Sequence, residues 1–120
     1  MKKLLTAALA LTLSACVSTS NDENTVTIYI NSGAVQCESS GKTAAETALL
    51  LNEQGIEVRA SLCGSLTNLA VIAMCGAGTT DINLHLIGQS DLSSAQDLGF
   101  ENVESLKLEN DPGYQGADCK

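Results

Sequence analysis

A chain of 120 residues is long enough for one modest hydrophobic core and short for two. Its 14 acidic residues outnumber six basic ones, for a formal charge of −8, and a surface of that sign repels nucleic acid and anionic lipid headgroups. Tyr29, Phe100 and Tyr114 are the only aromatics, too few for a base-stacking platform, so no nucleic-acid partner is expected.

The chain opens MKKLLTAALALTLSAC. Two lysines, an apolar run over residues 4–13 and small residues before a cysteine form the three parts of an export signal. The apolar run is about half of the roughly 20 residues that a bilayer-spanning helix needs. Leu13-Ser14-Ala15-Cys16 resembles the lipobox of bacterial lipoproteins. That resemblance implies removal of residues 1–15 as a signal peptide and acylation of Cys16. The protein would then be held to the membrane by its lipid, several acyl chains such as palmitate giving a durable anchor where one is marginal. Val17, where retained inner-membrane lipoproteins carry aspartate, implies the outer membrane, with the domain facing the periplasm. Cleavage would leave Lys42, Arg59, Lys107 and Lys120 against all 14 acidic residues.

Residues 16–24 make a lipidated cysteine and a polar tether, and residues 25–120 a single small α/β domain closed by a disulfide-pinned tail. Within it, four stretches alternate apolar and polar side chains as half-buried strands do. Val26, Ile28 and Ile30 share one face of the first. Ile56, Val58, Ala60 and Leu62 share one of the second, Ile82, Leu84 and Leu86 one of the third, and Leu106 and Leu108 one of the fourth. One apolar and one polar face per strand predicts helices on one side of the sheet only.

Helix ends are legible as well. Thr43-x-x-Glu46 matches a capping box and Gly55 a left-handed stop, predicting a helix from residue 43 to about 54. Leucines and alanines at helical spacing predict a second over 66–74, and Asp91 and Gly99 bracket a short third over 92–98. The expected fold is a two-layer α+β sandwich with ferredoxin-like β-α-β-β-α-β order and a short extra helix.

Besides Cys16 the chain has Cys37, Cys63, Cys75 and Cys119. An even count in an oxidising compartment predicts two disulfides, with three pairings open. A metal site is not expected, because the thiols lack close C-x-x-C pairs and His85 is the single histidine.

Gly41-Lys42-Thr43 ends like a phosphate-binding loop, yet G-x-x-x-x-G-K-[ST] requires glycine where Gln36 stands. The segment is expected to be a capped helix start, with no nucleotide and no other cofactor. VTIYINSGAVQC, a helix and EQGIEV together resemble the opening of a thioredoxin-like domain, which would imply thiol-disulfide chemistry at Cys37. The family's second cysteine is missing from both positions it would occupy, Ala34 and Ser40. Serine hydrolase chemistry lacks a G-x-S-x-G elbow.

By alternation Tyr29, Arg59, Asp81, Asn83 and His85 point to the polar sheet face, the candidate binding surface. The expected role is that of a non-enzymatic module of the cell envelope that binds another envelope protein. A small-ligand or ion-binding module is the alternative, and a degenerate thioredoxin-like protein a second one.

Overall fold

The computed structural model describes residues 24–119. The signal segment, Cys16, all but the last residue of the tether and Lys120 lie outside them. Five strands form one antiparallel sheet: β1 (Thr25–Asn31), β2 (Ala60–Leu66), β3 (Asp81–Gly88), β4 (Glu101–Asn102) and β5 (Tyr114–Ala117), in the order β4-β1-β3-β2-β5. Two helices, α1 (Ala44–Glu53) and α2 (Leu92–Asp97), and two disulfides complete an α+β domain.

The α1 helix begins and ends as its sequence dictates. Thr43 Oγ1 accepts the Glu46 amide at 3.1 Å, and the Glu46 carboxylate accepts the Thr43 amide at 3.1 Å, so two otherwise unbonded donors are satisfied reciprocally. At the other end Gly55 takes φ +78°, and the Ile56 amide donates to the Leu51 carbonyl. The apolar side of α1 sends Leu51 into a cluster with Val26, Ile28, Ile56, Ile87, Phe100 and, from α2, Ala95. Both helices therefore pack on one face of the sheet.

The opposite face is only partly covered. A 3₁₀ turn, Val103–Leu106, lays Val103 on Ile82 and Leu84, with Tyr29, Leu66 and Tyr114 at the margin. Leu62 on that face is 42% exposed.

Several expectations need correction. The sheet has five strands, so its order differs from the four-stranded ferredoxin-like sheet. The added strand comes from the tail: β5 pairs Tyr114 through Ala117 with Leu66 through Cys63, and the Cys63–Cys119 disulfide fastens its end. The second strand is shifted towards the C-terminus, because Ile56 and Val58 pack under α1 while Ala60 and Leu62 turn to the other face opposite Leu86 and Leu84. The alternating stretch at 105–109 is not a strand, since residues 103–106 close a 3₁₀ turn and Leu108 makes only a bridge to Asp111. Asp91 makes no capping bond, because a 3₁₀ turn (Gln89–Asp91) already leads the chain into α2.

The helix expected over 66–74 does not form. Leu66 is the last residue of β2, bonded on both sides, and residues 67–80 follow as an irregular loop. A disulfide and a side-chain clamp, described below, hold that loop away from helical geometry.

Candidate functional site

The five residues expected on one open face are divided by the strand register. Across β1 and β3, Ile28 lies opposite His85 and Ile30 opposite Asn83, whereas Tyr29 lies opposite Leu84. Directly opposed residues of an antiparallel pair share a face. His85 and Asn83 thus belong to the face covered by α1, where they are 1% and 3% exposed. Tyr29 lies half-buried on the other face. Asp81 opens β3 on the His85 side and is exposed, and Arg59 is exposed immediately before β2. The polar residues of β3 point inward because each finds a partner there.

The surroundings of His85 show what those partners do. Nε2 lies 2.8 Å from Thr47 Oγ1 and Nδ1 lies 2.7 Å from Ser61 Oγ. Thr47 Oγ1 also sits 3.1 Å from the Ala44 carbonyl and 3.3 Å from that of Thr43. Each hydroxyl can donate or accept, so in either tautomer of the neutral ring one nitrogen donates and the other accepts. The ring meets Phe100 edge-on, with centroids 5.9 Å apart. Burial away from water lowers the pKa of His85 from 6.5 to about 4, leaving it neutral at pH 7. Both nitrogens are engaged, so the imidazole ties α1 to β2 and β3 and has no open position for a substrate.

The glycine of Gly41-Lys42-Thr43 has a packing reason. Gly41 adopts φ +72°, and a Cβ there would collide with the Ser32 carbonyl and come within 2.5 Å of the Ala34 amide. Residues 32–34 pass directly beneath, and the Lys42 amide donates to the Ser32 carbonyl at 2.7 Å. The motif holds two backbone segments together and starts α1.

A cleft of about 590 Å³ opens beside that start. Asn83 and Asp81 of β3, Ser65 of β2 and both cysteines of the Cys63–Cys119 disulfide line it. Lys42 and Ala44 form the near rim, and Asp118 lines the side belonging to the tail.

Sequence reading missed a second feature, the loop 67–80. Residues 69–74, LAVIAM, are all exposed, with Leu69 at 54%, Ile72 at 72% and Met74 at 59%. The Cys37–Cys75 disulfide closes one side of the loop. Gln36 secures the other. Its Nε2 donates to the carbonyls of Ile72 (2.8 Å) and Gly78 (3.0 Å), and its Oε1 accepts the Met74 amide at 3.0 Å. Backbone bonds from Gln36 to Ala77 and from Gly76 to Gln36 complete the clamp. The residue occupying the place of the missing loop glycine thus has a structural task of its own. The signal available in the sequence was a run of six apolar residues between Asn68 and Cys75, too short to separate a helix from a displayed loop.

All four cysteines among the described residues are paired, Cys37 with Cys75 and Cys63 with Cys119. No group of three histidine, cysteine or acidic side chains among those residues is placed to hold a metal ion, and none of their helices is long and apolar enough to cross a membrane. Compared with family models, curated proteins and solved structures, the chain shows no significant match.

Proposed function

We propose that this chain is an exported, lipid-anchored protein of the cell envelope that acts as a non-enzymatic binding module, with the apolar loop at residues 69–74 as its contact surface for another envelope protein. The observation that carries this reading is the display of that loop. Six consecutive apolar residues in water are unfavourable by about 25 cal/mol for each Å² left uncovered, and here a disulfide and the Gln36 side chain hold them out. A loop already fixed in shape loses little conformational freedom on docking, which favours affinity.

The position of the loop supports the same reading. Asn24, where the tether ends, sits at the start of β1, and its carbonyl accepts the Gln89 amide. The loop is joined to the other end of β1, where the Asn31 side chain donates to the Thr79 carbonyl. A seven-residue strand spans roughly 20 Å, so loop and tether lie at opposite ends of the domain. Anchored through Cys16, the domain would present the loop away from its own membrane. The closed surroundings of His85 support a role without catalysis. For the fold, the run β4-β1-β3-β2 supports a ferredoxin-like reading of four strands extended by β5.

Two measurements test the proposal. Metabolic labelling with a palmitate analogue is expected to mark the protein and to be lost in Cys16→Ser. A photo-crosslinking residue in place of Ile72 is expected to give one discrete protein adduct in intact cells. A chain that carries no lipid, or an Ile72 position that captures only phospholipid or nothing, overturns the reading.

A further inference from the structure

The cleft at the start of α1 is lined by a side-chain acceptor to which no N–H or O–H donates among the described residues. Asn83 is 3% exposed, and its Nδ2 donates to the Lys42 carbonyl at 3.0 Å. That bond fixes the orientation of the amide, because the reverse one would set two oxygens against each other. The Oδ1 atom then faces Cys63 Sγ at 4.0 Å. Cys63 is oxidised in a disulfide, so its sulfur has no proton to give. Among the described residues no other side chain or amide donates to this oxygen. Amide oxygens of buried residues normally find a partner.

The rest of the lining limits what the partner is. Ala44, at the first position of α1, has an amide with no acceptor among the described residues, and the positive end of the helix and the exposed Lys42 line the same cleft. These groups favour an anion. On the floor and far side, Asp81 stands two residues before Asn83 on the same face of β3, with Asp118 beyond it. These groups, with Asn83 Oδ1, favour a donor that carries positive charge. A simple anion meets two carboxylates, and a simple cation meets a lysine and a helix N-terminus, so neither ion alone suits the cleft.

We infer that this cleft binds a small zwitterion, a free amino acid or a short peptide, with its carboxylate at Lys42 and the Ala44 amide and its ammonium at Asn83 Oδ1 and Asp81. The contacts proposed here lie outside residues 69–74, although the cleft shares Gln36, Cys37 and Thr79 with the clamp and loop that hold them, and they do not depend on the reading of that loop as a docking surface. Asn83 bridges its halves: one end of the amide is bonded to the Lys42 carbonyl, two residues before Ala44, and the other end awaits the ligand's donor. A cleft of about 590 Å³ has room for a dipeptide as well as for a single amino acid.

The test is an NMR titration of the ¹⁵N-labelled full chain in detergent with L-alanine and, separately, L-alanyl-L-alanine. Acetate and methylammonium, each carrying one of the two charges, are the comparison probes. Saturable shifts of the Ala44 backbone amide and the Asn83 side-chain amide are expected with at least one zwitterion, and at least tenfold weaker binding with either half. The tighter of the two zwitterions distinguishes a free amino acid from a peptide. Because Asn83→Ala would also strip the Lys42 carbonyl of its partner, the decisive variants are the exposed Lys42→Gln and Asp81→Asn. Each is expected to weaken binding about tenfold, the loss of one charge-assisted hydrogen bond, without moving the melting temperature. No saturable shift, binding of acetate as tight as that of the zwitterions, or affinity unchanged in both variants overturns the inference.

Discussion

The two faces of the sheet invert the usual relation between polarity and burial. The face under α1 and α2 is closed, yet it carries Asn83 and His85 beside Ile28 and Phe100. The other face presents Leu62 and Leu86 around a shallow groove and is covered only where Val103 reaches it. Polar groups are stable in the closed face because each buried nitrogen of His85 and the Asn83 amide donor has a partner on another element. A half-exposed leucine, conversely, needs no explanation on a surface. Hydrogen bonding across elements, more than hydropathy along a strand, decides which way β3 faces.

The largest expected effect tests the closed face directly. Phe100 is fully buried among Ile28, Leu51 and Ile87 and lies edge-on to His85. Phe100→Ala should lose about 3–5 kcal/mol in chemical denaturation, a transfer term plus the cavity left behind. A loss below 1 kcal/mol would mean that the two faces do not differ as described.

Acid should act on the same face. His85 titrates near 4 when folded and at 6.5 otherwise, so the unfolded chain takes up its proton first. Stability from this residue is fully present above pH 6.5, falls as the pH drops, and levels off below about 4, for a total of up to about 3 kcal/mol. Stability measured against pH for the natural chain and for His85→Gln should differ in slope in that window and run parallel above it. Parallel curves throughout would mean that the imidazole is open to solvent.

The smallest effect belongs to the open face. Leu62→Ser, at 42% exposure, should change stability by less than about 1 kcal/mol. A loss comparable with that of Phe100→Ala would show the groove to be a second core.

Features with local signals were legible in the sequence. The Thr43–Glu46 box, the Gly55 stop and the first and third strands stand where their patterns place them, as do the two disulfides and the helices on one side. What was not legible depends on partners far along the chain. His85 is drawn inward by Thr47 and Ser61, and Asn83 by the Lys42 carbonyl, 41 positions away. The apolar run at 69–74 has helical spacing, but Gln36, 36 positions before Ile72, bonds the backbone groups that a helix would use. Tail residues 114–117 read as loop because their glycine and glutamine carry little strand preference, and β2 with its cysteine makes them a strand. The cleft is assembled from the start of α1, from β2 and β3 and from the tail, which no local residue pattern announces.

The borders of the sheet carry one more consequence. Exposed strand edges are templates on which further chains assemble into fibrils. Here one border is the two-residue β4 and the other the four-residue β5, stapled just beyond its end by Cys119. Neither is long enough to nucleate a growing ribbon, so molecules crowded side by side resist polymerising through their backbones even while each displays a patch of oil.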